Sequence, residues 1–175
     1  MSDDLLFRNR YRIPSARLAT WDYRWGGVYF VTICTGGRVH WFGEVVGEQV
    51  LLSRIGEVVA QEWRKIPRIY PRAILDEWIV MPDHLHGILI FRGIPGQIGK
   101  SEEDQLLRQT LGTALGQFKS NCTKRIWGSL RQPDFSWQER FHDTILFDQE
   151  DLDRVRAYIR DNPRRWAADP LRRRR

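Results

Sequence analysis

Residues 28–35, Val-Tyr-Phe-Val-Thr-Ile-Cys-Thr, are almost all β-branched or aromatic and read as a strand that Gly36 and Gly37 end. Residues 45–52 flank Gly47 and predict a short hairpin with Gly47-Glu48 as its turn. From Arg54 to Lys65 the apolar positions Ile55, Val58, Val59 and Trp63 recur at helical spacing, and Pro67 is expected to stop that helix. Residues 73–81 and 84–91 are two strong strands. The tight Pro82-Asp83 link should pair them as an antiparallel hairpin. Residues 92–103 hold Gly, Pro and polar residues and read as an exposed loop. A helical stripe of Leu106, Leu107, Leu111, Ala114, Leu115 and Phe118 predicts one helix over 104–126, which Gly112 and Gly116 weaken or open to close packing. After a loop at 129–137 comes a strand at 139–147. Asp148 then caps a helix over 149–161 that Pro163 ends.

The resulting order is strand, helix, strand, strand, helix, strand, helix. That is an α+β architecture: a ferredoxin-like split βαβ with an antiparallel sheet, plus one added C-terminal helix. The expected organisation is a basic N-terminal arm at 1–26, a folded domain at 27–163 and a basic tail at 164–175.

Composition narrows the partners. The 175 residues are 42% hydrophobic, enough for a core, so wholesale disorder is excluded. The net charge of +6 suits a polyanion, because Lys and Arg displace condensed counterions from phosphates. The two cysteines, Cys34 and Cys122, have no metal-like or disulfide-framework spacing. The acidic start, Met1 to Asp4, lacks an apolar signal core, and no apolar run is long enough to cross a bilayer. The expectation is a soluble protein of the cytoplasm with no membrane partner.

His84 and His86 lie two apart on a strand, so both imidazoles share one face and could share one divalent cation. The plainer reading is two ordinary half-buried histidines. Tyr158 and Asn162 are four apart on the last helix and share a face. An amide oxygen can complete a hard-cation site, and a phenol beside it can attack phosphorus. Taken without the histidines, these two residues read better as a core-boundary tyrosine and a helix cap. His40 and His142 suggest only structural roles.

Segments in a fixed order sharpen this. Met81-Pro82-Asp83-His84-Leu85-His86-Gly87 resembles the HUH motif (His, bulky apolar, His) of single-tyrosine transposases. Tyr158-Ile159-Arg160-Asp161-Asn162-Pro163-Arg164-Arg165-Trp166 resembles the Tyr-Ile-x-x-Asn-Pro helix end of the REP-associated tyrosine transposases. The strand from Tyr29 to Thr35, the run Phe118-Lys119-Ser120, and Trp137-Gln138 followed by Arg140-Phe141-His142-Asp143 resemble further blocks, so the likeness spans roughly residues 10–166. Asp83 stands where that family often has Asn.

The resemblance implies a metal-dependent DNA-nicking and rejoining enzyme. Its partner would be single-stranded or hairpin DNA, and a 5′-phosphotyrosine would form on Tyr158. His84 and His86 would be ligands of Mg²⁺ or Mn²⁺, with Asn162 as a third, polar ligand. Arg10, Arg12, Arg17, Trp21 and Tyr23 of the arm, Lys119 and Lys124 of the middle helix, and Arg164 and Arg165 are the expected DNA contacts, through charge and stacking. The alternatives are a domesticated, non-cleaving DNA- or RNA-binding protein on the same fold, or an unrelated metallohydrolase. The sequence leaves open whether a monomer or a homodimer acts, and whether the Tyr158 helix is swapped between subunits.

Overall fold

A computed structural model describes residues 26–94 and 99–169. The expected arm contacts Arg10, Arg12, Arg17, Trp21 and Tyr23 lie outside the described residues, as do the four terminal arginines.

Four antiparallel strands form the central sheet: β1 (Gly26–Cys34), β4 (Ala73–Met81), β5 (His84–Arg92) and β6 (His142–Leu146), in the order β4-β5-β1-β6. A hairpin of β2 (Gly43–Val46) and β3 (Gln49–Leu52) is inserted after β1, turning at Gly47-Glu48 as expected. α1 (Arg54–Arg64) continues into a short α2 (Ile66–Ile69), and α3 (Lys100–Leu107) and α4 (Leu111–Ser129) follow β5. α5 (Gln149–Arg160) and α6 (Asn162–Ala168) close the chain. Discounting the inserted hairpin, this is the ferredoxin-like split βαβ arrangement that the sequence predicts.

Both faces of the sheet are covered, and the parity of β5 decides which residue meets which helix. Leu85, Leu89 and Phe91 join Val31 and Ile33 of β1, Val59 and Trp63 of α1, and Leu115 and Phe118 of α4 in one core. Gly87 belongs to this face. A Cβ there would lie 2.4 Å from the Trp63 ring, so only glycine lets α1 approach the strand this closely. His84, His86 and Ile88 point the other way, beneath α5 and α6.

Four expectations about boundaries need correction. Pro67 does not end helicity: it sits in the first turn of α2, where its missing N–H costs no hydrogen bond. Pro163 behaves likewise in the first turn of α6, so Arg164 and Arg165 lie on a helix. The helix expected over 104–126 is two helices. Thr110 and Thr113 exchange side-chain-to-backbone hydrogen bonds in a reciprocal cap that starts α4, and α3 begins within the expected loop, at Lys100. The strand expected over 139–147 is only His142–Leu146. The Lys119 ammonium takes the carbonyls of Gln138 and Glu139 at 2.8 and 3.1 Å, which directs those carbonyls toward α4 and not into a strand ladder.

Glu62 joins α1 to α4. It is 4% exposed and accepts hydrogen bonds from Lys65 at 2.7 Å and from Arg125 at 2.6 Å. Burial alone would raise its carboxyl, but the two cations outweigh burial and hold it below the ordinary range. A depressed folded-state pKa stabilises above the unfolded value, about 4.3, and the benefit is lost as pH falls through the folded value. Glu62→Gln should therefore cost about 1–3 kcal/mol at neutral pH. That cost should shrink toward zero below about pH 4 in thermal unfolding of the two proteins; a pH-independent cost would contradict the ion-pair account.

Candidate active site

β5 begins immediately after the Pro82-Asp83 turn, and that turn is pinned from three directions. The Thr35 amide and hydroxyl donate to the Asp83 carbonyl at 2.9 and 3.1 Å, and the Phe42 amide donates to the Pro82 carbonyl at 2.9 Å. The hairpin register then puts Met81 opposite His84 and Ile79 opposite His86. On the other side Cys34 faces His84 and Thr32 faces His86, with His142 of β6 one strand further along the same rung.

The two imidazoles are buried at 2% and 6% exposure, with ring centroids 4.4 Å apart. Each is held at Nδ1. His84 Nδ1 lies 2.6 Å from Asp83 Oδ1, and His86 Nδ1 lies 2.8 Å from the Thr32 hydroxyl. Arg38 Nε closes the outer side of Asp83 at 2.8 Å from Oδ2. Burial would raise the Asp83 carboxyl, but the His84 hydrogen bond and the Arg38 charge outweigh it, so the group stays ionised. His84 Nδ1–H then donates to the ionised Asp83, so in the neutral imidazole the lone pair lies on Nε2. Anchoring one ring nitrogen so that the other can ligate is the usual environment of metal-binding histidine.

Tyr158 comes from α5 and closes the group. Its hydroxyl is 3.4 Å from His86 Nε2, and the two rings are 5.3 Å apart. Phe30, on the same face of β1, meets the edge of the Tyr158 ring at 6.0 Å and lies 5.3 Å from His86. The Arg165 guanidinium covers the Tyr158 ring at 5.3 Å. α5 is started by Asp148, whose carboxylate accepts the Asp151 amide at 2.8 Å, as the sequence predicts. Its end is marked by Asp161, whose carboxylate engages both Arg164 and Arg165; these hydrogen bonds hold its pKa down at about 2.

The structure thus brings Tyr158, His84 and His86 together within one chain. Asn162 is buried at 3% exposure in the first turn of α6, one helical turn beyond Tyr158. Among the described residues no group of three or more His, Cys, Asp or Glu could hold a metal. Cys34 shares the His84 rung, but burial pushes its thiol up, so it remains a neutral thiol. The donors that the structure brings together on this face are therefore the two imidazoles. That set fits a divalent cation whose remaining ligands come from phosphate oxygens and water. Lys119 is engaged by backbone carbonyls, and Lys124 is exposed on α4, across the sheet from the imidazoles.

Several residues went unmarked in the sequence. Thr32 and Phe30 become visible only once the β1–β5 register is known. Arg38 follows a turn in which Gly37 and Arg38 both have positive φ, 61° and 59°, and no sequence signal links it to Asp83. Trp166 stood in the resembling segment without a role. Its ring lies 5.3 Å from His40 and 5.8 Å from His84, so it fixes α6 against the start of β5.

Comparison with solved structures bears on the fold. A REP-associated tyrosine transposase bound to a REP hairpin superposes with a TM-score of 0.55 at 20% identity, over 80% of this chain and 68% of that one. The fold is that of a tyrosine transposase. A candidate transposase of Deinococcus radiodurans R1 aligns at TM-score 0.43 and 17% identity over 81% of this chain and 93% of that one, a value from which shared architecture does not follow. No family model matches. An uncharacterized protein of Haemophilus influenzae is 32% identical over 166 residues, covering 90% of this chain and 91% of that protein, and this chain belongs to the same family.

Trp166→Ala should destabilise the protein by about 3–5 kcal/mol, the usual cost of emptying a buried indole site. Urea unfolding measures it, and a loss below about 1 kcal/mol would show that Trp166 does not anchor α6.

Proposed function

We infer that the chain is a metal-dependent single-strand DNA endonuclease and strand transferase, a transposase acting through a tyrosine. The observation that carries this reading is the Tyr158 hydroxyl 3.4 Å from Nε2 of His86, beside a second imidazole anchored in the same way. The likeness in fold to a transposase bound to a REP hairpin supports single-stranded or hairpin DNA as the partner.

Tyr158 Oη attacks a backbone phosphorus, forming a P–O bond to tyrosine while the bond to the 3′-oxygen breaks. The phenol proton leaves to solvent and the departing oxygen becomes a 3′-hydroxyl. One phosphoester replaces another, so a later 3′-hydroxyl can reverse the step without ATP. A free phenol, with a pKa of about 10, is a weak nucleophile at neutral pH. Mg²⁺ or Mn²⁺ held by His84, His86 and Asn162 would supply Lewis-acid polarisation of the phosphate. The chain's own residues orient the attack. Phe30 and Arg165 confine the Tyr158 ring on two sides, and Asp83 and Thr32 fix the two imidazoles. Arg165, over the Tyr158 ring, and Arg164 beside it are suited to phosphate contacts, whereas Lys124, across the sheet, would serve only DNA that runs beyond the site.

The test uses the full chain, Mn²⁺ and a pool of hairpin oligonucleotides with randomised single-stranded flanks. A denaturation-resistant protein–DNA adduct should form and should vanish with a chelator. Tyr158→Phe should abolish it while leaving DNA affinity within about twofold, since only the attacking oxygen is lost. His84→Ala or His86→Ala should slow adduct formation by about 10²-fold or more. Binding without any adduct in the wild type would support the non-cleaving alternative, and cleavage surviving Tyr158→Phe would support a hydrolase.

A further inference from the structure

α5 carries Tyr158, yet only one of its residues, Ile159, is fully buried. One fully buried residue, with Leu152 and Val155 only half-buried, fixes the height of a helix above a sheet better than its roll about its own axis. Roll matters here. At about 100° per residue, Tyr158 lies on one flank of the ridge formed by Leu152, Val155 and Ile159, and Arg156 and Arg160 lie together on the other flank. The tip of a tyrosine stands roughly 8–9 Å from the helix axis, so a 10° roll moves its hydroxyl by about 1.5 Å.

The arginine flank meets a matching irregularity in the sheet. The β4–β5 register shifts between Leu75 and Trp78, which leaves the adjacent acids Asp76 and Glu77 out of regular pairing. Consecutive residues of a regular strand point to opposite faces. Here both carboxylates serve one helix. Asp76 is gripped at two points by one edge of the Arg156 guanidinium, Nε to Oδ1 at 2.8 Å and Nη2 to Oδ2 at 2.6 Å. Asp76 Oδ1 also accepts the Glu77 amide at 2.7 Å, which sets the carboxylate before the arginine arrives. Arg160, one turn on, reaches Glu77 at 3.1 Å. Asp153 adds a contact to Arg156 from within the helix at 3.0 Å. A planar, two-point guanidinium–carboxylate pair is directional, unlike an apolar contact, and so can define a rotation.

We propose that the paired ion contacts Arg156–Asp76 and Arg160–Glu77, seated on the β4 irregularity, are a roll clamp that holds the Tyr158 hydroxyl at the imidazole pair. The idea rests on the strand-transferase reading in one respect, that the placement serves catalysis; the placement itself can be measured without chemistry. Arg156, Arg160, Asp76 and Glu77 are thus positioning residues. They touch neither the imidazoles nor the tyrosine ring.

The test compares Arg156→Met, which keeps the stem, Arg156→Lys, which keeps the charge without the fork, and the exchange Asp76→Arg with Arg156→Asp. Magnetisation transfer between the Tyr158 and His86 rings reports placement in the absence of DNA. The adduct rate at saturating hairpin and the half-saturating hairpin concentration report consequence. Arg156→Met should lose the ring-to-ring signal and slow the saturated rate by about 10–100-fold, with half-saturation within about twofold. Arg156→Lys should fall between Arg156→Met and the wild type. The exchange should restore part of both readouts, which a general loss of stability would not do. If Arg156→Met does not fold, Glu77→Gln, which removes only the more exposed pair, should show the same split at smaller size. A wild-type ring signal and a wild-type rate in the folded Arg156 or Glu77 variants overturn the clamp. If the wild type forms no adduct, the strand-transferase reading fails, and the ring signal alone decides whether the clamp sets the tyrosine.

Discussion

Everything at the candidate site depends on two imidazoles whose far nitrogens are fixed. A histidine ring on a strand can rotate about its side-chain bonds, and two of them would not define a cation site by spacing alone. Here Asp83 and Thr32 take the Nδ1 positions, at 2.6 and 2.8 Å, and the Nε2 edge of His86 is left facing Tyr158 of α5. Asp83 can do this because Arg38 compensates its burial, and the turn it occupies is tied to Thr35 and Phe42. The anchoring therefore runs back through the β1 end and the start of the inserted hairpin, well outside the His-Leu-His segment itself.

The sheet makes the division of labour possible. As an inner strand, β5 is buried on both sides, and its alternation separates tasks. Leu85, Gly87 and Leu89 pack against α1 and α4, while His84 and His86 face α5 and α6. Gly87 shows how closely the two are coupled. The same short segment that presents the imidazoles must let Trp63 come within contact of its backbone on the opposite face. A side chain added there would push against the core and shift the strand that carries both histidines.

Much of this was legible in the residue pattern. Period-two alternation gave the β4–β5 hairpin, and the shared face of His84 and His86 followed from it. Asp148 marked the start of α5 correctly. The misreadings share a physical origin. Pro67 and Pro163 look like terminators, since proline cannot continue a helix, but at a first-turn position the lost donor is one that no helix uses, so each opens a new short helix. The apolar stripe ran unbroken through 104–126 because the break at Thr110 is made by polar hydrogen bonds that periodicity does not register. β6 starts later than its residue pattern suggests because Lys119, distant in sequence, holds the carbonyls just ahead of it. Thr32, the partner of His86, and Arg38, the partner of Asp83, depend on register and on a turn with positive φ, neither of which can be read from one chain's local pattern.

The tyrosine and both imidazoles sit on a single polypeptide, with the break at Asp161 placed after Tyr158 and before Asn162. A change in the angle between α5 and α6 at that break would move the Tyr158 phenol and the Asn162 amide separately, so the break is the joint at which the two could be re-spaced.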